Sequence, residues 1–325
     1  MDALWDPAMK PALALRFPGL TPDQLLEAHS YAYGGAIIQD MGYYPFGSHA
    51  FSDLVHYVRS GDFVVALLRE ANTPDEYAFA LGALAHYIAD SYGHPMAVNH
   101  AVPMLYPKLR RKFGDTMTYE DNPTAHLKTE FGFDVLEAAK QRYAPDAYHS
   151  FVGFHVSKEL LERAFEQTYA IPLSSLFANV DLALGSYRYS VRSLIPEMTK
   201  AAWHAKKDEI RRTIPSMTAR RFTYTMSRAS FEKEWGHSYE RPGLGARILA
   251  FFFRLVPKVG PFRALGFKMP TPQAENLFLE SFNATVEHYR ERSNEVRANN
   301  LRLPDRNLDT GDAPLEQGHY RLADQ

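Results

Sequence analysis

The stretch from Pro74 to Tyr92 is apolar on nearly every side, with Tyr77, Phe79, Leu81, Leu84, Ile88 and five alanines. A helix of that composition is buried all round rather than half exposed. Thr73-Pro74-Asp75-Glu76 supplies a capping box with proline at the first helical position, so a helix is expected to run from there to about Tyr92. Near its end stand His86 and Asp90. A buried carboxylate left alone costs several kcal/mol. The fold must therefore bring Asp90 a partner: a histidine, an arginine from elsewhere, or a cation.

The spacing keeps the cation in play. His86-Tyr-Ile-Ala-Asp90-Ser-Tyr-Gly-His94 and His126-Leu-Lys-Thr-Glu130 are two i, i+4 sets, with Asp40 and His56 upstream. Residues four apart project side by side on a helix, with Cβ atoms roughly 5–6 Å apart. Imidazoles and carboxylates so placed suit zinc, which takes nitrogen and oxygen ligands at about 2.0–2.2 Å. Taken alone, each pair also fits a plain hydrogen-bonded or solvent-facing pair. Two coincident sets, with His94 one turn beyond Asp90, favour a zinc-based hydrolase.

Composition narrows the options. The chain has no cysteine, so disulfides, thiolate zinc sites and cysteine nucleophiles are excluded. Any zinc must be held by His, Asp and Glu, an open and hydrolytic style of site. A formal charge of -2 gives no global field toward nucleic acid or anionic membrane, and no stable nucleic-acid partner is expected. Hydrophobic residues make up 46% of the 325, ample for a sizeable core.

The pattern predicts an all-α chain. Thr21-Pro22-Asp23-Gln24 opens a helix to about Tyr33, and Asn122-Pro123 opens one through Glu130 toward Gln141. Ser157 or Lys158 begins another to about Tyr169. Ser174 to Arg211 reads as one long tract bent near Pro196, and Thr271-Pro272 opens the last helix, to about Asn299. Only Phe222–Met226 alternates like a strand. A single helical domain is expected over residues 1–299, with 300–325 as a polar surface tail.

Residues 1–20 lack a basic start followed by a clean apolar run, so no signal peptide is visible. The apolar stretch Ile248–Phe267 is broken by Arg254, Pro257, Lys258, Pro261 and Arg263 and should not span a bilayer. Its first part, Ile248–Val256, fits a core helix or an interfacial anchor giving peripheral membrane contact. The cluster Lys206, Lys207, Arg211, Arg212, Arg220 and Arg221 fits a solvated face or a phosphate-binding patch.

The motifs GGAIIQD, GYYP, DLVHYV, ALAHYIAD, GHP and HLKTEFG together resemble the zinc-dependent phospholipase C family. The resemblance covers residues 20–135, which would be the metal-site core. It implies the multi-helix fold shared with single-strand-specific zinc nucleases, with the metal site between core helices. One zinc would be held by Asp40, His56, His86 and Asp90, and a second by His94, His126 and Glu130. His94 precedes Pro95 where the family's histidine usually follows the proline, so His100 is a fallback. His49 competes with His56, which fits spacing and context better.

The family's third zinc uses a further histidine and the free amino group of an aromatic residue. His29 lies too close to Asp40 for that role, and Trp5 is not at a free terminus. Either these ligands fall before Met1, with a lost export signal, or the chain holds two zincs. The resemblance makes Asp40 the candidate general base and implies an extracytoplasmic protein acting on phospholipid. Tyr43, Tyr44 and Phe46 would line a substrate pocket or simply pack as core. Asp53 is a candidate to orient a ligand imidazole or a surface residue. A nuclease on the same metals and a non-catalytic zinc-stabilised membrane-associated protein are the alternatives.

Overall fold

Thr21 caps its helix as its sequence prescribes: its hydroxyl accepts from the Gln24 N–H, and Gln24 Oε1 accepts from the Thr21 N–H at 2.9 Å. Thr73 accepts from the Glu76 N–H at 3.2 Å, while the Glu76 carboxylate takes the Asn72 N–H instead of closing the box. Both devices satisfy amides that a helix start leaves without intrahelical partners. The computed structural model describes residues 1–140, 155–190, 195–213, 215–222 and 266–312.

The fold is all-α, and the described residues contain no strand. After a short turn at Asp2–Leu4 and a π-helical turn at Trp5–Met9, the helices are α1 (Lys10–Arg16), α2 (Pro22–Gly35), α3 (His49–Tyr57), α4 (Ser60–Glu70) and α5 (Pro74–Gly93). Then come α6 (Asn99–Leu105), α7 (Pro107–Phe113), α8 (Pro123–Ala139), α9 (Lys158–Tyr169), α10 (Val180–Tyr189), α11 (Ile195–Thr213), α12 (Ala219–Phe222) and α13 (Pro272–Arg297). A 3-10 turn spans Ile38–Tyr43, and a π-helical turn His94–Val98 follows α5. Pro95 has no N–H to give, which disturbs the regular ladder at that point.

The expected single tract Ser174–Arg211 is broken. A 3-10 turn at Leu173–Ser175 is followed by α10, and α11 begins at Ile195. Asn179 accounts for the break before α10, because its Oδ1 accepts from the Leu182 N–H and starts a new helix, while residues 191–194 lie outside the described residues. The strand candidate Phe222–Met226 has its first residue at the end of α12; the rest lies outside the described residues, as do Ile248–Val256 and the side chains of Arg220 and Arg221.

The contacts divide the chain into two compact units. The first comprises residues 1–95, 153–188 and 281–325, the second 96–152 and 189–280. In the first, α5 is the central helix, with every residue from Tyr77 to Ile88 buried. It packs on α2 through glycines: a Cβ on Gly82 would stand 2.1 Å from the Ala32 carbonyl oxygen, and one on Gly35 would stand 1.9 Å from that of Phe79. Only hydrogen at those two positions permits such an approach. Phe51 of α3, Phe63 of α4 and Phe165 of α9 form a fully buried aromatic cluster.

The segment 303–312 belongs to the first unit and departs from the expected surface tail. Leu308 is fully buried and its N–H donates to the His56 carbonyl at 3.0 Å. The Tyr87 hydroxyl donates to the Pro304 carbonyl and the Ser60 hydroxyl to that of Arg306, both at 2.6 Å. In the second unit, Val135, Ala202, Trp203, Ile210, Met217, Phe222 and Phe267 form a core around α8 and α11. A smaller core gathers Val98, Val102, Met117 and Ala125.

Candidate metal centre

Four candidate ligands converge in the first unit. α5 presents His86 and Asp90 one turn apart, α3 presents His56 in its last turn, and the Ile38–Tyr43 turn presents Asp40. His86 Nε2 lies 3.1 Å from Asp90 Oδ2 and 3.2 Å from His56 Nε2. His56 Nε2 lies 3.4 Å from Asp40 Oδ1 and 3.5 Å from Asp90 Oδ2. A tetrahedron of ligands at zinc's usual bond lengths has edges of about 3.3–3.4 Å. Asp40, His56 and His86 thus stand close enough to share one cation, and Asp90 adjoins both imidazoles.

The ring orientations point the same way. His56 Nδ1 donates to the Ser52 carbonyl at 2.7 Å and His86 Nδ1 to the Ala36 carbonyl at 3.1 Å. Carbonyl oxygens only accept, so each Nδ1 carries the proton and each neutral ring turns an Nε2 lone pair inward. Two lone pairs and two carboxylates facing one another need a proton or a cation between them.

The electrostatics record that demand. Burial alone depresses His56, but hydrogen bonds and charge from Asp40 and Asp90 outweigh it and hold its pKa up to about 10. His86 is raised in the same way, against burial, chiefly by the Asp90 and Asp40 charges. Burial pushes the Asp90 carboxyl up, yet His86, His94 and His56 together hold it well below the usual carboxylate range. This donor set, all nitrogen and oxygen, fits zinc.

One buried hydroxyl organises the centre. Ser52 Oγ donates to the Gln39 carbonyl at 2.6 Å and accepts from the Gly42 N–H at 3.0 Å, tying the Asp40 turn to α3. Gln39 Nε2 in turn donates to the Ala83 carbonyl on α5 at 3.0 Å. Backbone carbonyls, rather than Asp53, hold the imidazoles; Asp53 is exposed, with its carboxyl raised mainly by partial burial. His49 turns its ring to Tyr43 at 5.5 Å, and His29 stacks between Trp5 and Tyr33 in α2 at 4.0 and 4.9 Å.

Of the proposed pocket residues, Tyr43 lies 6.0 Å from the His56 ring and Phe46 is 49% exposed, on a left-handed backbone of φ 62°. Tyr44 packs edge-on to Tyr187, its hydroxyl pKa pushed up by burial and the Asp40 charge.

His94, at the start of the π-helical turn, places Nδ1 3.4 Å from Asp309 Oδ1 in the same unit. Asp309 was invisible to spacing arguments, being one acid in a polar stretch with no helical partner. In the second unit, α8 carries His126 and Glu130, whose Nδ1 and Oε1 are 3.3 Å apart. His126 is fully buried and its Nε2 lies 2.9 Å from Asn99 Oδ1. His100, also in the second unit, has Nδ1 3.5 Å from the Thr116 hydroxyl. That unit also holds a cavity of about 750 Å³ lined by Tyr106, Lys108, Asn122, Lys128 and Lys268, which includes none of the candidate ligands.

A family model described as zinc dependent phospholipase C matches residues 8–179. The chain belongs to the zinc-dependent phospholipase C family. No curated protein and no solved structure matches it. The family match encloses Asp40, His56, His86, Asp90, His94, His126 and Glu130, and leaves Asp309 outside. Membership supports zinc as the cation and a zinc-dependent phosphodiesterase as the broad activity. Among the described residues, no helix is long and apolar enough to cross a membrane.

Proposed function

We propose that this member of the zinc-dependent phospholipase C family hydrolyses phospholipid to diacylglycerol and a phosphorylated headgroup, using about two zinc ions. The convergence of His56, His86, Asp40 and Asp90 carries the proposal. These four hold the first zinc, and His94 holds the second. Bound zinc supplies Lewis acidity toward the phosphoryl oxygens and acidifies the attacking water.

Asp40 is the general base in this scheme. Its side chain is 36% accessible, against 16% for Asp90 and 5–6% for the two imidazoles, so it is the carboxylate of the cluster that substrate water reaches. One oxygen faces His56 and the other is left to take a proton. Tyr43 and the exposed Phe46 form the apolar wall beside it, against which a lipid chain rests, with Tyr44 behind them. Exposed apolar side chains at the mouth of such a site give peripheral membrane contact. An extracytoplasmic location follows from the family.

A second reading has one observation in its favour. A single-strand nuclease needs a cationic track with an aromatic platform. Lys108, Lys128 and Lys268 line the second unit's cavity together with Tyr106, and Lys268 Nζ sits 5.0 Å from that ring's centre. The two activities separate in one experiment: p-nitrophenyl phosphorylcholine and phosphatidylcholine vesicles against single-stranded DNA, each with and without chelator. Chelator-sensitive release of diacylglycerol with intact DNA is the expected result. Cleavage of DNA alone would establish the nuclease. Zinc bound with no turnover of either would leave a non-catalytic zinc-stabilised protein.

A further inference from the structure

We infer that Asp309 is a ligand of the cation held at His94, so that the segment 303–312 is a strap whose docking is linked to metal binding. The inference rests on the two-zinc reading above and adds to it a ligand from outside the family match.

Four observations carry it. First, Asp309 is only 4% exposed, and its Oδ1 lies 3.4 Å from His94 Nδ1, the separation that His56 Nε2 keeps from Asp40 Oδ1 in the first centre. Burying a carboxylate demands compensation, and a cation shared with an imidazole provides it. Second, the loop presenting Asp309 is pre-shaped. Asn307 Oδ1 accepts from the Asp309 and Thr310 N–H groups at 2.9 and 3.1 Å, an Asx turn.

Third, Gly311 closes that loop at φ +74°, donating to the Asn307 carbonyl at 2.8 Å while Arg306 donates to the Gly311 carbonyl at 2.9 Å. Its backbone lies against Ser91 and Pro95, the residues flanking His94 on α5 and the π-helical turn. Fourth, the strap is fastened to α3 and α5, which bear ligands of the first centre, and to α4 beside them. Leu308 bonds the His56 carbonyl, Arg306 and Asp305 receive Ser60 Oγ and the Asp62 N–H of α4, and Pro304 receives Tyr87 of α5.

Binding that favours the docked strap must, by linkage, be favoured by it. Metal at His94 therefore stabilises residues 303–312 against local opening, and removing Asp309 weakens that metal while leaving the first centre able to load.

The test is zinc titration calorimetry on the metal-free full chain, its Asp309→Asn variant and its Asp309→Glu variant, with amide hydrogen exchange of residues 303–312 read alongside. Wild type is expected to take up zinc in two steps. Asp309→Asn should keep the tighter step, which reports an intact fold around His56, and weaken the other at least about tenfold. Asp309→Glu, which keeps a carboxylate, should recover part of the loss. Zinc should slow exchange across 303–312 in wild type and not in Asp309→Asn. An unchanged second step in Asp309→Asn overturns this inference alone. Wild type binding a single zinc overturns it as well, and wild type binding none removes the metal reading beneath it.

Discussion

His56 Nε2 and His86 Nε2 face each other across 3.2 Å from different helices, each ring already committed through Nδ1 to a backbone carbonyl. That pairing brings two lone pairs together inside a pair of carboxylates. The arrangement is stable only with positive charge at its centre.

Asp90 is therefore the most sensitive position. Asp90→Asn keeps shape but removes the charge that His56 and His86 face. Zinc content measured by plasma emission should fall by about one ion per chain as the first centre empties, and phosphodiesterase activity by more than about 100-fold, beyond the cost of losing an outer partner. Circular dichroism separates this from misfolding. Retention of both metal and activity would refute the ligand assignment.

Proton release follows from the raised His56 pKa. Without metal, His56 holds its proton up to about pH 10, so zinc uptake at pH 7 must displace it. Calorimetry in buffers of different ionisation enthalpy should show at least one proton released with the first zinc, and affinity falling at least about tenfold per pH unit on acidification. The metal-free protein should behave oppositely. Its folded His56 pKa lies above the ordinary 6.5, so that stabilisation is complete below 6.5 and is lost as pH rises through about 10. Thermal melts of the metal-free protein at pH 6 and pH 10 check the sign.

Ser52→Ala cuts the tie between α3 and the Asp40 turn. It leaves the Gly42 N–H without its acceptor in a buried place, at a cost of about 1–3 kcal/mol. Urea denaturation should register that loss. Zinc affinity should drop by roughly 10–100-fold as Asp40 loses its fixed position. Unchanged zinc affinity would show that the turn is held by other means.

Much of this was legible in the sequence, and the reasons differ by element. Helix α5 announced itself through its cap at Thr73 and its all-round apolar pattern, and α2, α8 and α13 through caps or prolines at their starts. Helices α3 and α4 have no such marker, since neither Ser48 nor Arg59 caps through its side chain. Of the four ligands of the first centre, the i, i+4 spacing paired only His86 with Asp90; that Asp40 and His56 join them was implied by the family resemblance and not by spacing. The carbonyls of Ser52 and Ala36 that aim the imidazoles could not be anticipated, because any residue supplies a carbonyl. Asp309 was hidden in the same way by a stretch whose polarity reads as tail, although Leu308 and Asp309 are both buried.

Close helix packing gives a further prediction. A Cβ on Gly82 would fall 2.1 Å from the Ala32 carbonyl oxygen and 2.8 Å from the Ala36 nitrogen, so Gly82→Ala must push α2 from α5. Overpacking of this kind costs about 1–3 kcal/mol, read as a lower denaturation midpoint. Because Ala36 holds the His86 ring, zinc affinity should weaken with it. Loss of stability without loss of zinc affinity would mean that α2 does not set the His86 orientation.

The account's central claim is a zinc cluster, and metal analysis of the purified full chain tests it most directly. About two zinc ions per chain at good occupancy is the predicted result, with both removed by chelator. A chain that folds, stays monodisperse and carries no zinc after dialysis against micromolar zinc would contradict it.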